Sequence, residues 1–406
     1  MTNTTTETVG GSFAFKSRTY RRFLYGNFFV RTSDWMDLTI LNWIVYEWTQ
    51  SALALGLLNA CRLLPVFFFS LFAGSIADRF DRKKSLQLIH TGLFITALII
   101  ALVISEGNSI LTLMTIITLR SIFMSFEVPI RNAYLSDIVP LDMLGSAVTL
   151  QTTIINIARM IGPAAAGLLL TYFPAGYILI FVSIGPLIGF LTLWGMADAR
   201  KADKEKKLSQ KKTVKETLVY MKSEPILVSI LLLAIAPMIF GFPYTTMLPV
   251  LAGDLMDIGP DGFGLLLSVS SVGAIISTAV LTWKQPREGG KWLILSSLGF
   301  GGSLLLFTVF SAHFIMAFLF MFLAGFVSQF YRTLSRIMVQ MKVAEEFRGR
   351  VLSIALMDRG FIPLGAILAG FVANSFGAYS AGIFMGAGTL LLTILIVRSN
   401  RKLWKE

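Results

Sequence analysis

Arg31, Asp34 and Asp37 stand one helical turn apart within the stretch "RTSDWMD", flanked on both sides by apolar residues. At that spacing the three side chains share one face of a helix. A charge held in hydrocarbon costs about 2.5 kcal/mol or more, so such a triad implies proton handling, substrate contact or ion pairing. A carboxyl group in a low-dielectric cavity can load and release a proton near neutral pH. Arg31 neutralises one of the two aspartates and leaves the other over. Asp34 and Asp37 are therefore the first choices for carrying a proton. The competing reading is purely structural, with the aspartates paired to Arg62, Arg120 or Arg159 from neighbouring helices.

Further ionisable residues fall in apolar runs. Arg120 and Glu127 lie in a fourth run, Arg62 in a second and Arg159 in a fifth, while Arg332, Arg336, Asp358 and Arg359 lie near the end of the chain. Ionisable residues at such depth face a bundle interior or a water-filled cavity. Glu127 joins the aspartates as a proton-coupling candidate. Arg31, Arg62, Arg120, Arg159, Asp358 and Arg359 form the expected substrate-binding set, and their excess of arginine suits anionic groups. Arg332 and Arg336 are equally well explained by snorkelling to a nearby interface.

The elements that must position these residues are membrane helices. Of 406 residues, 55% are hydrophobic and 14% charged, against about 25% charged in a soluble domain. Apolar runs of some twenty residues recur, each long enough to cross a bilayer of roughly 30 Å. They occupy residues 23–47, 53–77, 85–104, 110–133, 144–172, 177–196, 226–251, 263–283, 292–310, 314–338, 351–376 and 379–397. An all-α membrane protein with twelve transmembrane helices is expected.

The formal charge of +12 does not point to nucleic acid, because lysine and arginine crowd into alternate loops only. That asymmetry marks the cytoplasmic face and predicts both termini there, with no cleaved signal peptide. The single cysteine, Cys61, excludes a disulfide framework. His90 and His313, the two histidines, read as interfacial residues near helix ends rather than metal ligands. No Walker-type loop is present to hold ATP, and no residue set suggests an enzyme, a cofactor or a metal.

The two sets of six runs echo each other. "GPAAAGLLL" from Gly162 parallels "GAILAGFVA" from Gly365, and the run from Gly56 has a weaker echo from Gly264. Residues 1–197 are expected to form one six-helix bundle and 223–406 the other, joined by a basic cytoplasmic linker at 198–222. Parallel halves of this kind rock about a site at the bilayer midplane. Pro237, Gly241, Pro243 and Pro249 predict a broken seventh helix able to flex as a gate.

The stretch "GSIADRFDRKK", Gly74 to Lys84, resembles the loop between helices two and three that marks the major facilitator superfamily. Asp81 stands where many members have glycine, a feature of the branch that includes macrolide-efflux proteins and the enterobactin exporter. "SDWMDLTILNWIVYEWTQSALALGLL" and "VPIRNAYLSDIVPLDMLGSAV" are similar to the same branch. Gly162, Pro163 and Gly167 resemble the antiporter motif on helix five, although small-residue packing explains them almost as well. The resemblance implies a proton-coupled antiporter that exports an amphipathic small molecule, such as a drug or siderophore-like metabolite, as a monomer in a bacterial cytoplasmic membrane. It implies that Gly74, Asp78, Arg79 and Arg82 latch the two halves on the cytoplasmic side. The rival readings are a carrier of lysophospholipid or another lipid-like substrate, and a sensor or scaffold without transport.

Overall fold

The computed structural model describes residues 14–107, 109–196, 214–284, 286, 288–344 and 346–399; the side chains of 70–79, 141, 214, 215, 218, 348, 349, 353, 356 and 359 fall outside that description. The first bundle comprises α1 (Arg18–Thr49), α2 (Ala52–Arg79), α3 (Arg82–Ser105), α4 (Ile110–Ile138), α5 (Leu144–Tyr172) and α6 (Ala175–Trp194). A short helix, α7 (Val214–Ser223), precedes the second bundle, and linker residues 198–213 lie outside the described residues. Then come α8 (Pro225–Ala236), α9 (Tyr244–Val250), α10 (Pro260–Trp283), α11 (Gly289–Val309), α12 (Phe314–Lys342), α13 (Arg348–Leu356) and α14 (Phe361–Ser399).

Local chemistry sets the helix ends. Ser17 accepts a hydrogen bond from the Tyr20 amide, and Asp81 from the Lys84 amide, so each caps the helix that follows it. Gln50 ends α1 in the left-handed region. Gly377 breaks α14 with φ of 87°, which turns one continuous stretch into two spans.

Among the described residues, ten helices are long and apolar enough to cross a membrane. The charged α1 falls outside that set because Arg31, Asp34 and Asp37 occupy its middle, and α14 crosses twice around Gly377. Those two features bring the count to the expected twelve. The seventh span is broken as its prolines require. After α8 it passes through a π-helical turn at Pro237–Gly241, then α9, then a second π-helical turn at Leu251–Leu255. The eleventh span differs from the single helix expected over 351–376. It consists of α13, a 3₁₀ turn at Met357–Gly360 and the start of α14, so Asp358 sits on a break rather than a regular helix.

The sequence echoes become contacts. Gly162 of α5 packs on Thr32 and Trp35 of α1, and its counterpart Gly365 packs on Ile239 and Pro243 of the broken seventh span. Gly167 faces Pro260 and Gly264 of α10, across the two bundles; Gly370 faces Ala52 and Leu53 of α2 in the same way. At each of these glycines an added methyl would strike a neighbouring backbone or side chain. The two bundles therefore meet through equivalent crossings, α5 on α10 and α14 on α2. Both crossings lie toward the helix ends away from the basic loops.

Candidate functional site

The charges of the first bundle converge between α1, α2 and α4. Arg31 bridges two acids, with Nη1 3.0 Å from Asp34 Oδ2 and Nη2 2.7 Å from Glu127 Oε1. Asp37 is clamped by two cations: Arg120 Nη1 donates to Oδ1 at 2.5 Å, and Arg62 Nη2 lies 3.5 Å from Oδ2. Asp37 and Glu127 are only 1% and 2% exposed. The triad is thus split, its upper member facing one acid pair and its lower member a pair of arginines.

Asp34 stands apart from the other two acids. Its carboxylate is buried and ion-paired to Arg31 at 3.0 Å, yet neither oxygen receives a well-aligned hydrogen bond among the described residues, whereas on Glu127 this holds for Oε1 alone and on Asp37 for neither oxygen. A buried carboxylate with one cation and no aligned hydrogen bond is less well compensated than one held by two cations, as Asp37 is.

Two members of the cluster were not foreseen. Arg131 lies 3.5 Å from Glu127 Oε1 through Nε and donates from Nη1 to Asn27 Oδ1 at 3.1 Å. Its position one turn after Glu127 was the available signal. His90, expected at an interface, is buried two turns inside α3 beside Gly189, in a recess that Glu127 and Arg131 also line. The absence of a Cβ at Gly189 makes room for its imidazole, and α3 starts three residues earlier than expected. His313, by contrast, stands at the exposed start of α12, in the N-cap position but without a side-chain capping bond.

The other expected site residues disperse. Arg159 lies over the Trp35 indole, 5.5 Å from its centroid, and so flanks the cluster. Asp358 belongs to the second bundle, in a cavity of about 230 Å³ with Arg332, Arg336 and Tyr331. That cavity replaces snorkelling as the setting of the two arginines. The side chains of Gly74, Asp78, Arg79 and Arg359 lie outside the described residues. Arg82 donates to Asp137 Oδ1 at 2.5 Å and to the Ala133 carbonyl at 3.2 Å, tying α3 to α4 within one bundle. Pro163 presents its carbonyl to Gly264 across the bundle interface. Among the described residues, no group of three or more His, Cys, Asp or Glu is placed to hold a metal ion.

On the side away from the basic loops the halves are tied directly. Tyr46 near the end of α1 donates to Asp254 Oδ1 in the second π-helical turn, and the Trp43 ring stacks on Phe263 with centroids 5.9 Å apart.

Twelve spans in two echoing bundles, enclosing buried charges, have the architecture of a transporter of the major facilitator fold. The profile of the family described as "Transmembrane secretion effector" matches residues 11–406, and the chain belongs to that family. It is 33% identical to the staphyloferrin A transporter of Staphylococcus aureus, over 94% of this chain and 96% of that protein. It is 24% identical to macrolide efflux protein A of Streptococcus pyogenes, over 90% and 91% respectively. Among solved structures, a bacterial homologue of the human lysosomal transporter Spinster, captured inward-facing, shares the fold with a TM-score of 0.77 at 14% identity, covering 96% of this chain and 99% of that one. The nucleoside transporter NupG does so with a TM-score of 0.74 at 16% identity, covering 94% and 99%.

Proposed function

We propose that this protein exports an amphipathic small molecule across a bacterial cytoplasmic membrane in exchange for protons, by alternating access. The observation that carries the reading is the buried Asp34 carboxylate, which meets Arg31 but receives no hydrogen bond. Protonating Asp34 releases Arg31 to Glu127 alone, and deprotonating it draws Arg31 back. Proton loading thus rearranges the pairing between α1 and α4. Asp37, held by Arg62 and Arg120, couples the same movement to α2. Arg159 and the second-bundle residues Asp358 and Arg359 are the further candidates for substrate contact.

The basic loops face the cytoplasm by the positive-inside rule, so both termini lie inside and export runs toward the tied ends. On the strength of the family resemblance, Gly74, Asp78 and Arg79 latch the two bundles at the cytoplasmic seam when that side is closed, with Arg82 anchoring the loop to Asp137. The protein acts as a monomer. Its relationship to carriers of a siderophore and of macrolides supports a substrate of that size and polarity.

The test is uptake into inverted proteoliposomes of staphyloferrin A, a macrolide and a lysophospholipid, with and without a pH gradient. Gradient-driven uptake of at least one of the first two, lost in Asp34→Asn with binding retained, is expected. Uptake of the lysophospholipid alone, or gradient-independent uptake, overturns the reading.

A further inference from the structure

The arginines inside the first bundle differ in what holds them. Arg31, Arg62, Arg120 and Arg131 each lie within 3.5 Å of a buried acid. Arg159 does not. Among the described residues its guanidinium meets no carboxylate, and it lies over the Trp35 ring instead, 5.5 Å from the centroid. Arg159 stands fifteen residues after the start of α5 and thirteen before its end, or ~22 and ~20 Å along the axis. In a hydrocarbon core about 30 Å thick that is near the midplane, too deep for snorkelling or for a lipid headgroup. An ionisable side chain at such depth marks a functional position by default.

The facing helix supplies a second group. Gly167 of α5 lies against Pro260 of α10, and Pro163 against Gly264, four residues up one helix for four down the other. The two helices are thus antiparallel, and the next step in that register sets Arg159 opposite Ser268. Ser268 is 7% exposed, and its hydroxyl makes no hydrogen bond among the described residues. Its neighbours Ser270 and Ser271 are both satisfied, by Tyr244 and the Leu267 carbonyl. A buried hydroxyl without a partner is uncommon and calls for an occupant. Along α5, Thr152, Asn156, Arg159, Pro163 and Gly167 share one face. Pro163 and Gly167 are buried, Arg159 and Asn156 half-buried, and Thr152 exposed. The seam therefore opens one turn from the glycine crossing, toward the basic loops, and Arg159 is the first side chain in the opening.

We infer that Arg159 and Ser268 form a seat at this seam for a carboxylate of the transported molecule. Stacking engages the face of a guanidinium and leaves its edge free. That edge presents two parallel N–H donors matched to a carboxylate, and the Ser268 hydroxyl supplies a further donor. The seat takes one group from each bundle. Parting α5 from α10 withdraws Ser268, so the grip weakens as the ends away from the basic loops open.

This assignment rests on the transport reading, but equilibrium binding tests it without a gradient, so failure of transport and failure of the seat are separable. The probe is benzylsuccinate, an apolar ring bearing two carboxylates, titrated onto the full-length protein in neutral-lipid nanodiscs. Its dimethyl ester is the uncharged counterpart. Binding of the acid but not the ester is expected. Arg159→Gln should raise Kd about tenfold or more, and Ser268→Ala should raise it several-fold. Lys291→Gln, on an exposed Glu288 pair, should leave it unchanged. If Arg159→Gln does not fold, Arg159→Lys keeps the charge, loses the planar fork and should still weaken binding. A purely structural stack on Trp35 predicts a lower Tm in the arginine variants with Kd unchanged, and that outcome overturns the proposal. So does absence of acid binding or equal binding of the ester. Displacement of the probe by phosphatidylglycerol or inorganic phosphate at equal concentration overturns it too, since the site would then be a lipid-headgroup or general anion site.

Discussion

The Tyr46 hydroxyl donates a hydrogen bond to the Asp254 carboxylate, joining the last turns of α1 to the π-helical end of the seventh span. The Tyr46 ring also covers Gly253, where any side chain would collide with it. A hydrogen bond to a charged group contributes about 1.5–3 kcal/mol. Because it joins one bundle to the other, it stabilises the state closed at that end and is absent when the ends part. Tyr46→Phe should therefore shift the conformational ratio roughly ten- to a hundred-fold toward opening there. Spin labels at positions 172 and 261, in a Cys61→Ser background, should report a longer mean distance. An unchanged distance distribution would show that the bond does not govern closure.

Asp34 and Asp37, one turn apart, should answer differently to the same substitution. Asp37→Asn leaves Arg62 and Arg120 as two buried cations without their shared acid, a loss of about 3–5 kcal/mol for a broken buried pair. Asp34→Asn removes a carboxylate that accepts no hydrogen bond, while Arg31 retains Glu127. Thermal unfolding in detergent should show a larger fall in Tm for Asp37→Asn, which leaves two cations without their shared acid, than for Asp34→Asn, which leaves one cation in excess. Equal losses would contradict the unequal pairing.

The glycine crossings predict a steric effect with the same sign in both halves. Gly264 lies against the Pro163 carbonyl and Gly167, and Gly370 against Ala52 and Leu53. Valine at either position forces the bundles apart by overpacking, at about 1–3 kcal/mol. Gly264→Val and Gly370→Val should each favour the state open away from the basic loops by about five- to a hundred-fold. Gly302→Ala, with nothing within 4 Å of its added methyl, should not. The spin-label pair at positions 172 and 261, in the same Cys61→Ser background, would measure the shift.

These particulars show what the sequence makes legible. The glycines of "GPAAAGLLL" and "GAILAGFVA" announced close crossings because close approach demands small residues, and the structure uses the two stretches equivalently. Pro237, Pro243 and Pro249 announced a broken span because each removes a backbone donor. The spacing of Arg31, Asp34 and Asp37 announced one helix face. What could not be read was which neighbour each charge would meet, since that depends on the rotation of α1, α2 and α4 about their own axes. Thus Asp37 finds both Arg62 and Arg120, while Arg159 meets an indole instead. The burial of His90 turns on Gly189, a residue ninety-nine positions away that only packing brings opposite it. The break at Met357–Gly360 carries no proline and was equally hidden.

The upper part of the cluster offers a test of charge balance. Arg31 and Arg131 are opposed by Asp34 and Glu127, two cations by two anions, all buried or nearly so. Removing Arg31 alone leaves one anion in excess, and removing Glu127 alone leaves one cation in excess. Each single change should cost about 3–5 kcal/mol, because an uncompensated charge stays buried. Removing both restores the balance, with Arg131 and Asp34 remaining. Arg31→Gln combined with Glu127→Gln should therefore be less destabilised than either single variant, a coupling well outside the ~0.3–0.5 kcal/mol of independent sites. The comparison needs four proteins, the parent, two singles and the double, with Tm measured at one detergent concentration and at neutral pH. A double variant whose loss equals the sum of the two singles would mean that Arg31 and Glu127 act independently, and that the 2.7 Å contact between them does not balance charge in the cluster.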